Sequence, residues 1–395
     1  MENKNKYLVQ RAVRVVKGII SSIYYSFIKT QRTKTIIFNS ACNEEFTWNA
    51  KSLFLNGMQS FHTLGYNIYF VIDDQQERMS LIRKYGDFFI TSKNKNDRII
   101  ILKAAVWVLS TLETPLSGIF LNRHRFVYHL GHGTPIKNIG LMEKNVSIPK
   151  KIFYFLNKTN ISVFLSTSVF FVEYMSKAFG VKKERIVVAP QPRIDDFISR
   201  RDSVFKNKAD GYKYILYAPT WRHYSDTKLF PFSDFDLTSF SAQLKKNKII
   251  VLLRLHPRFE NESRPFLCEN IISFDSKMCA DVSDSLWEID GLITDYSSIY
   301  CDYLLLNKPV AFIPYDRIKY EQEIGFSTDY DAITTDMKIN SVDDFFRFIS
   351  YFDSFDFENY QAELRDKINF MPNGISATEY NVGYIDGEYR KRWSM

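Results

Sequence analysis

The sequence predicts an α/β fold made of two Rossmann-like domains, each carrying a parallel sheet and facing a cleft. Three observations predict it. Short apolar runs rich in Val, Ile, Leu and Phe alternate with helix-length segments along most of the 395 residues, as in strands joined by crossover helices. The alternation comes in two sets, separated by the polar stretch Arg200–Gly211. Finally, three of the apolar runs end in polar motifs, and open α/β sheets hold ligands beyond the carboxyl ends of their strands.

The elements follow in order. Thr35–Phe38 is a strand by its β-branched and aromatic content, and Asn49–Phe61 is a helix by the spacing of its apolar residues. Asn67–Ile72 is the next strand and Gln75–Lys84, charged and without a β-branched run, the next helix. Val106–Ser110, Phe126–Leu130 and Ile161–Leu165 read as buried strands. A helix near Val169–Phe179 and the strand Arg185–Ala189 close the first set. The second set runs through the strand Tyr214–Tyr217, a helix near Asp234–Lys245, and the strands Lys248–Arg254, Ile271–Phe274 and Gly291–Thr294. It ends with a helix from Ser298 to Leu306 and the strand Val310–Ile313. The expected organisation is a membrane-interface helix in 1–33, domains at 34–203 and 204–375, and a tail at 376–395. No GxGxxG, Walker loop or internal repeat is present.

Bulk composition excludes several classes. A hydrophobic content of 45% with 16% aromatics supplies real cores and argues against disorder. Cys42, Cys268, Cys279 and Cys301 show neither CxxC nor Cys/His metal spacing, so reduced thiols in a cytosolic compartment are expected, and no metal or cofactor. No secretory signal is evident. Residues 1–34 hold eight of the 52 basic residues and one of the 45 acidic ones, so they account for the whole net charge of +7. A neutral body without a basic aromatic stripe disfavours nucleic acid as a partner.

Within 7–28, Leu8, Val9, Ala12, Val13, Val16, Ile19, Ile20, Ile23 and Phe27 recur at helical spacing, opposite Arg11, Arg14, Gly18, Ser21, Ser22 and Tyr25. The uncharged run from Gly18 to Ile28 is too short to span a bilayer. A helix lying on an anionic membrane surface is expected. The competing reading is an ordinary helix packed on the body.

Three motifs carry the chemistry. Gly131-His132-Gly133-Thr134-Pro135 follows the strand Phe126–Leu130, with Lys137 just beyond. Flanking glycines allow a sharp turn and a close ligand, and a histidine there suits general-base work. His256-Pro257 ends the most apolar strand of the second set, and Arg254 two residues earlier would share its face, which suggests a phosphate site. Thr294-Asp295-Tyr296-Ser297-Ser298 precedes a helical run. Ser297 or Ser298 would cap it, and the amides there attract anions such as a pyrophosphate. Beside these, Tyr217-Ala218-Pro219-Thr220-Trp221-Arg222 ends a strand with a hydroxyl and a guanidinium, so that Arg222 would hold phosphate bidentately. The turn Gln191-Pro192-Arg193-Ile194-Asp195 offers Arg193 to the cleft or serves structure alone. Turn-making, strand-capping and surface pairing are the bland readings. His62, His124, His129 and His223 lack motif context and read as structural or solvated.

Together these residues resemble the CDP-glycerol glycerophosphotransferase family, the poly(glycerol phosphate) primases and polymerases of teichoic acid and related capsules. The resemblance covers about Ile36 to Asp331. It rests on HGTPxK at His132–Lys137, PRxD at Pro192–Asp195, APTWR at Ala218–Arg222, HP at His256-Pro257, and TDYSS at Thr294–Ser298 followed by Lys308-Pro309. Ile324-Gly325-Phe326-Ser327-Thr328-Asp329-Tyr330 departs from the family pattern, lacking an arginine and one aromatic. With no long extra N-terminal domain in the sequence, a short primase-like or single-domain-pair transferase is expected.

The resemblance implies a GT-B architecture with the donor nucleotide on the second domain, essential histidines at His132 and His256, no tightly held metal, and attachment to the cytoplasmic face of the membrane. On this reading a hydroxyl of a polyprenyl-diphosphate-linked or polysaccharide acceptor attacks CDP-glycerol and CMP leaves. His132 takes the proton. His256, Arg254, Arg222, Thr220, Thr294, Asp295, Ser297 and Ser298 face the donor. Gly133, Thr134, Lys137 and Arg193 face the acceptor or its phosphate. The rival readings are a GT-B glycosyltransferase using a nucleotide sugar, the same transfer from CDP-ribitol, and a membrane-bound glycan-binding scaffold.

Overall fold

The computed structural model describes residues 16–25, 31–198, 203–205, 211–222, 224–279 and 281–393. Residues 7–15 and 26–28 of the expected amphipathic helix, His223 and most of the 200–211 stretch lie outside the described residues. The chain divides into two compact units, one of residues 1–133, 140–195 and 370–395, the other of 134–139 and 196–369.

The first unit begins with a helix over residues 16–25 (α1) and the strand β1 (Thr33–Asn39). There follow α2 (Trp48–Thr63), β2 (Asn67–Val71), α3 (Gln75–Tyr85), β3 (Phe89–Ile90), α4 (Lys95–Lys103), β4 (Ala104–Leu109) and β5 (Phe126–His129). Then come α5 (Ile148–Asn157), β6 (Val163–Ser166), α6 (Val172–Phe179) and β7 (Ile186–Val188). The sheet is wholly parallel, ordered β3-β2-β1-β4-β5-β6-β7. Its central strands read as unbroken apolar runs because both faces are covered. Ile36, Phe38, Val106, Val108, Phe126 and Tyr128 are buried with Leu53, Phe54 and Phe61 of α2.

The second unit contains β8 (Lys213–Ala218), α8 (Leu237–Lys246), β9 (Ile249–Leu253), β10 (Ile271–Ser273), β11 (Gly291–Thr294), α9 (Ile299–Tyr303) and β12 (Val310–Phe312). Three further helices follow, α10 (Arg317–Glu323), α11 (Val342–Ser350) and α12 (Phe357–Ile368). Its parallel sheet is ordered β10-β9-β8-β11-β12. The strand order reverses between β8 and β11, the place where a doubly wound sheet opens a ligand crevice.

Two expectations about organisation are corrected. Residues 376–395 are not a tail. Most of them form α13 (Ala377–Trp393), which packs on α2 so closely that a β-carbon at Gly57 would lie 3.3 Å from Val382 Cγ2. Tyr66 and Tyr128 anchor this helix by donating to Asp386 Oδ1 and Asn381 Oδ1, each at 2.9 Å. Residues 134–139 group with the second unit, not the first. There Lys137 pairs antiparallel with Phe326, while Ser327 N donates to Ile136 O at 2.9 Å.

Candidate functional site

In the first unit, β4 and β5 are neighbours in register, Leu109 opposite His129, so the residues just past them lie side by side. Gly131 has φ +68°, left-handed backbone that a side chain resists. That bend presents an exposed His132 at the strand end. The turn is held from several sides. Asn49 Nδ2 donates to Gly131 O at 3.0 Å and to Gln191 Oε1 at 3.1 Å, and Asn49 Oδ1 accepts from Arg193 N at 3.2 Å. Arg193 Nη1 donates to His132 O at 3.0 Å.

The imidazole is oriented as well. Its Nδ1 lies 3.5 Å from Ser110 O, an acceptor, which favours hydrogen on Nδ1 and a lone pair on Nε2. Its ring is tilted 31° against Trp48 with centroids 5.0 Å apart. Trp48 itself has φ +60°, a backbone conformation that a bulky residue rarely adopts. The result is a histidine oriented with Nδ1 toward a backbone carbonyl and its ring against Trp48.

His129, expected to be structural, packs between Phe164 and Phe179 at 5.1 and 5.2 Å. Burial, helped by nearby His132, pushes its pKa down to about 3. The folded chain therefore refuses a proton that the unfolded chain accepts near pH 6.5. Its contribution to stability is whole above pH 6.5 and is lost on acidification toward pH 3, by about 1.4 kcal/mol per pH unit. Denaturant titrations between pH 6.5 and 4 should show this slope in the wild type and a shallower one in His129→Gln.

In the second unit, Thr220–Arg222 follow β8, Asp295–Ser298 follow β11, and His256 lies just past β9. Arg222 is fully buried. Its Nε and Nη2 meet Asp316 at 3.1 and 2.8 Å, Nη1 meets Asp295 Oδ2 at 2.5 Å, and it also donates to Thr220 O. The rings of Tyr315, Tyr296 and Tyr320 lie 4.9, 5.1 and 5.6 Å from its guanidinium. Burial works against the charge, but Asp295 and Asp316 outweigh it and hold Arg222 above its usual pKa. Burial likewise tends to raise Asp316. The Arg222 fork and the Tyr224 and Tyr296 hydroxyls outweigh it and hold the carboxyl below its usual value.

Several expected donor ligands are therefore corrected to a supporting role. The Arg222 fork already carries two carboxylates, so it does not offer itself to phosphate. Asp295 ties the two strand ends together by accepting from Thr220 N at 2.8 Å and Tyr296 N at 2.5 Å. Thr294 Oγ1 donates to Ala218 O at 2.6 Å and is buried. Arg254 does not share a strand face with His256, because β9 stops at Leu253. Its Nη1 donates to Phe274 O and Cys279 O at 3.0 and 2.8 Å.

The other expected site residues differ in exposure. His256 is exposed, with its ring 6.1 Å from Trp221 and 6.0 Å from Phe259. Trp221 is 40% exposed and stacks on Phe259 at 5.3 Å. Thr220 Oγ1 is buried without a hydrogen-bond partner among the described residues. Ser298 begins α9 without a side-chain cap bond, and Ser297 Oγ only loosely accepts Ile299 N at 3.5 Å. Lys137 is exposed, whereas Thr134 and Arg193 are buried and Gly133 is half-buried. In PRxD, Asp195 caps α13, accepting from Ala377 N and Thr378 N at 3.0 and 2.7 Å.

Trp48, Ser110 and Asp316 were missed by sequence reasoning. Asp316 had a faint signal in Pro314-Tyr315-Asp316 after the last strand. Among the described residues no group of three or more His, Cys, Asp or Glu is placed to hold a metal ion.

Two parallel sheets with polar motifs beyond their carboxyl ends define a mixed α/β protein of the kind that binds ligands at strand ends. Residues 22–377 match the model of the CDP-Glycerol:Poly(glycerophosphate) glycerophosphotransferase family, and the chain belongs to that family of transferases. It is 26% identical to the teichoic acid poly(glycerol phosphate) polymerase of Bacillus subtilis over 84% of its own length and 46% of that protein's. It is 25% identical to the teichoic acid glycerol-phosphate transferase of Staphylococcus aureus, over 80% of this chain and 84% of that one. Several curated relatives are much longer, and the chain spans only 29% to 46% of four of them. The structure of the wall teichoic acid polymerase TagF superposes with a TM-score of 0.71 over 98% of this chain and 99% of that one, at 21% identity, and so shares the fold.

Proposed function

We propose that this chain is a GT-B glycerophosphotransferase. It moves glycerol phosphate from CDP-glycerol to a hydroxyl of a lipid-linked or polymeric cell-surface glycan and releases CMP, at the cytoplasmic face of the membrane. The observation that carries the reading is a pair of exposed histidines, His132 and His256, each just past a strand of one of the two sheets.

The acceptor hydroxyl loses its proton to His132 Nε2 as its oxygen bonds to the phosphorus that bears glycerol. The bridging P–O bond breaks, and the electron pair leaves with CMP. His256, Thr220 and the amides beside Ser297 and Ser298 face the diphosphate at the crevice between β8 and β11. Lys137 supplies a charge for the acceptor's phosphate, while Gly133, Thr134 and Arg193 shape and support the turn. Positioning and electrostatics provide most of the rate, as in other phosphoryl transfers.

Incubation with CDP-glycerol, CDP-ribitol and CMP-sugars in turn, with CMP and acceptor mass as readouts, tests the reading. CMP release with CDP-glycerol and an acceptor heavier by one glycerol phosphate is expected. Turnover of a CMP-sugar without turnover of CDP-glycerol would overturn it.

A further inference from the structure

The motif that runs from His132 to Lys137 is divided between the two units. His132 and Gly133 belong to the first, and residues 134–139 group with the second. Thr134, Pro135 and Ile136 are buried, whereas Lys137 is exposed. This stretch is joined to the segment 324–327, which follows α10. Asn138 N donates to Gly325 O at 3.0 Å and Ser327 N to Ile136 O at 2.9 Å, while Asn138 Nδ2 reaches Ile324 O at 3.4 Å. With the backbone bonds made by the residues on either side, Lys137 and Phe326 form a non-hydrogen-bonded antiparallel pair. The side chains of such a pair stand on one face and lie close together. Lys137 therefore leaves the backbone on the face that carries the Phe326 ring.

That ring is fixed in place. It stacks on Tyr320 at 5.4 Å and 23°, and lies 5.4 Å from Tyr296 and 5.0 Å from Tyr330. Two of these tyrosines are anchored in turn. Tyr296 OH donates to Asp316 Oδ1 at 3.0 Å, and Tyr330 OH donates to Asp295 O at 2.8 Å. Gly325 lets the segment turn, because its φ of +79° is left-handed backbone that a side chain resists. A lysine carries its charge on a long flexible stem, so where the charge goes depends on how firmly the backbone beneath it is held.

We infer that the segment 324–327 is a positioning element for Lys137. Phe326 and the two backbone bonds hold the lysine on the second unit, so that its cation meets a phosphate of the acceptor, while the histidine of the same motif stays on the first unit. The inference rests on the phosphate role that the proposed function gives Lys137, and it adds the residues that aim the charge. Phe326 touches no substrate and acts through the lysine. Sequence changes at 324–327 then tune the use of a phosphate-bearing acceptor without contacting it.

The test is a double-mutant cycle on the full chain, with CDP-glycerol as donor, a short glycerol phosphate oligomer as acceptor and CMP release as the readout. Lys137→Ala should raise KM for the oligomer by about 10- to 100-fold, the range for a lost charged hydrogen bond. Phe326→Ala should raise it by about 10-fold, and the double variant should be no worse than Lys137→Ala, because the two residues act as one. Calorimetric CDP-glycerol affinity should stay near the wild-type value throughout. Phe326→Leu, which keeps an apolar side chain among the tyrosines, should recover most of the loss. Amide hydrogen exchange gives a readout that needs no substrate: in Phe326→Ala the Asn138 amide should lose protection while those of 126–130 keep theirs. Should Phe326→Ala fail to fold, Gly325→Ala, strained at its positive φ, takes its place in both measurements. Additive losses in the cycle, or weaker donor binding with the oligomer KM unchanged, make Phe326 a general support of the second unit and overturn the inference. Wild-type protection of the Asn138 amide in the variant, or a wild-type oligomer KM in Lys137→Ala, overturns it too and leaves the proposed function standing. A wild type inert toward the oligomer also overturns it, and the proposed function falls as well only if CDP-glycerol is inert with every acceptor.

Discussion

His132→Ala is expected to lower turnover by about 100- to 10,000-fold, the range for removing a positioned general base, while CDP-glycerol affinity changes little. The two quantities separate if, as proposed, the imidazole acts on the acceptor's proton and not on the nucleotide. The geometry behind the expectation is specific. Ser110 O and the Trp48 ring orient the imidazole, and Arg193 and Asn49 hold the backbone of its turn. Trp48→Leu should therefore lower turnover less than His132→Ala does, and Trp48→Phe, which keeps a flat ring, should recover most of it. Single-turnover CMP release alongside calorimetric donor binding checks this. A His132→Ala enzyme with near-normal turnover would remove His132 from the chemistry.

Arg222→Met carries the largest expected cost in stability. Breaking a buried ion pair leaves uncompensated charge, here at Asp295 and Asp316, and costs about 3–5 kcal/mol. Denaturant unfolding should show that loss and donor binding should fall with it, because Asp295 joins the ends of β8 and β11 through Thr220 N and Tyr296 N. Adding Asp316→Leu to Arg222→Met should restore part of the stability, since a second unpaired charge is then gone. An effect of Arg222→Met below about 1 kcal/mol would mean that the pair is solvated and exposed in character.

Much of the fold was legible because parallel strands buried on both faces are written as apolar runs. Ile36–Phe38, Val106–Val108 and Ile249–Leu253 all proved to be central strands. The two-residue β3 and the helix α4 that follows it left no such trace. The end of the chain misled for a different reason. The inward residues of α13 include Asn381 and Asp386, whose partners are the hydroxyls of Tyr128 and Tyr66, hundreds of positions away in sequence. A polar contact of that range has no periodic signature.

Candidate ligands divided along the same line. The exposed place of His132 at a strand end could be read directly, since flanking glycines mark a sharp turn. Arg222 could not, because a guanidinium meant for phosphate and one meant for two buried carboxylates look alike until Asp316 is brought to it. Lys137 could be found by motif, but its pairing with Phe326 could not, although that pairing puts it beside the segment 324–327 that departs from the family pattern.

The sequence by itself determined two parallel α/β sheets, the polar motifs at their strand ends and the family, because burial and turn chemistry are local properties of short runs. Only the tertiary structure decided which polar residues are exposed to a ligand and which neutralise one another inside. That division depends on partners remote in sequence, and desolvation, not residue type, sets it.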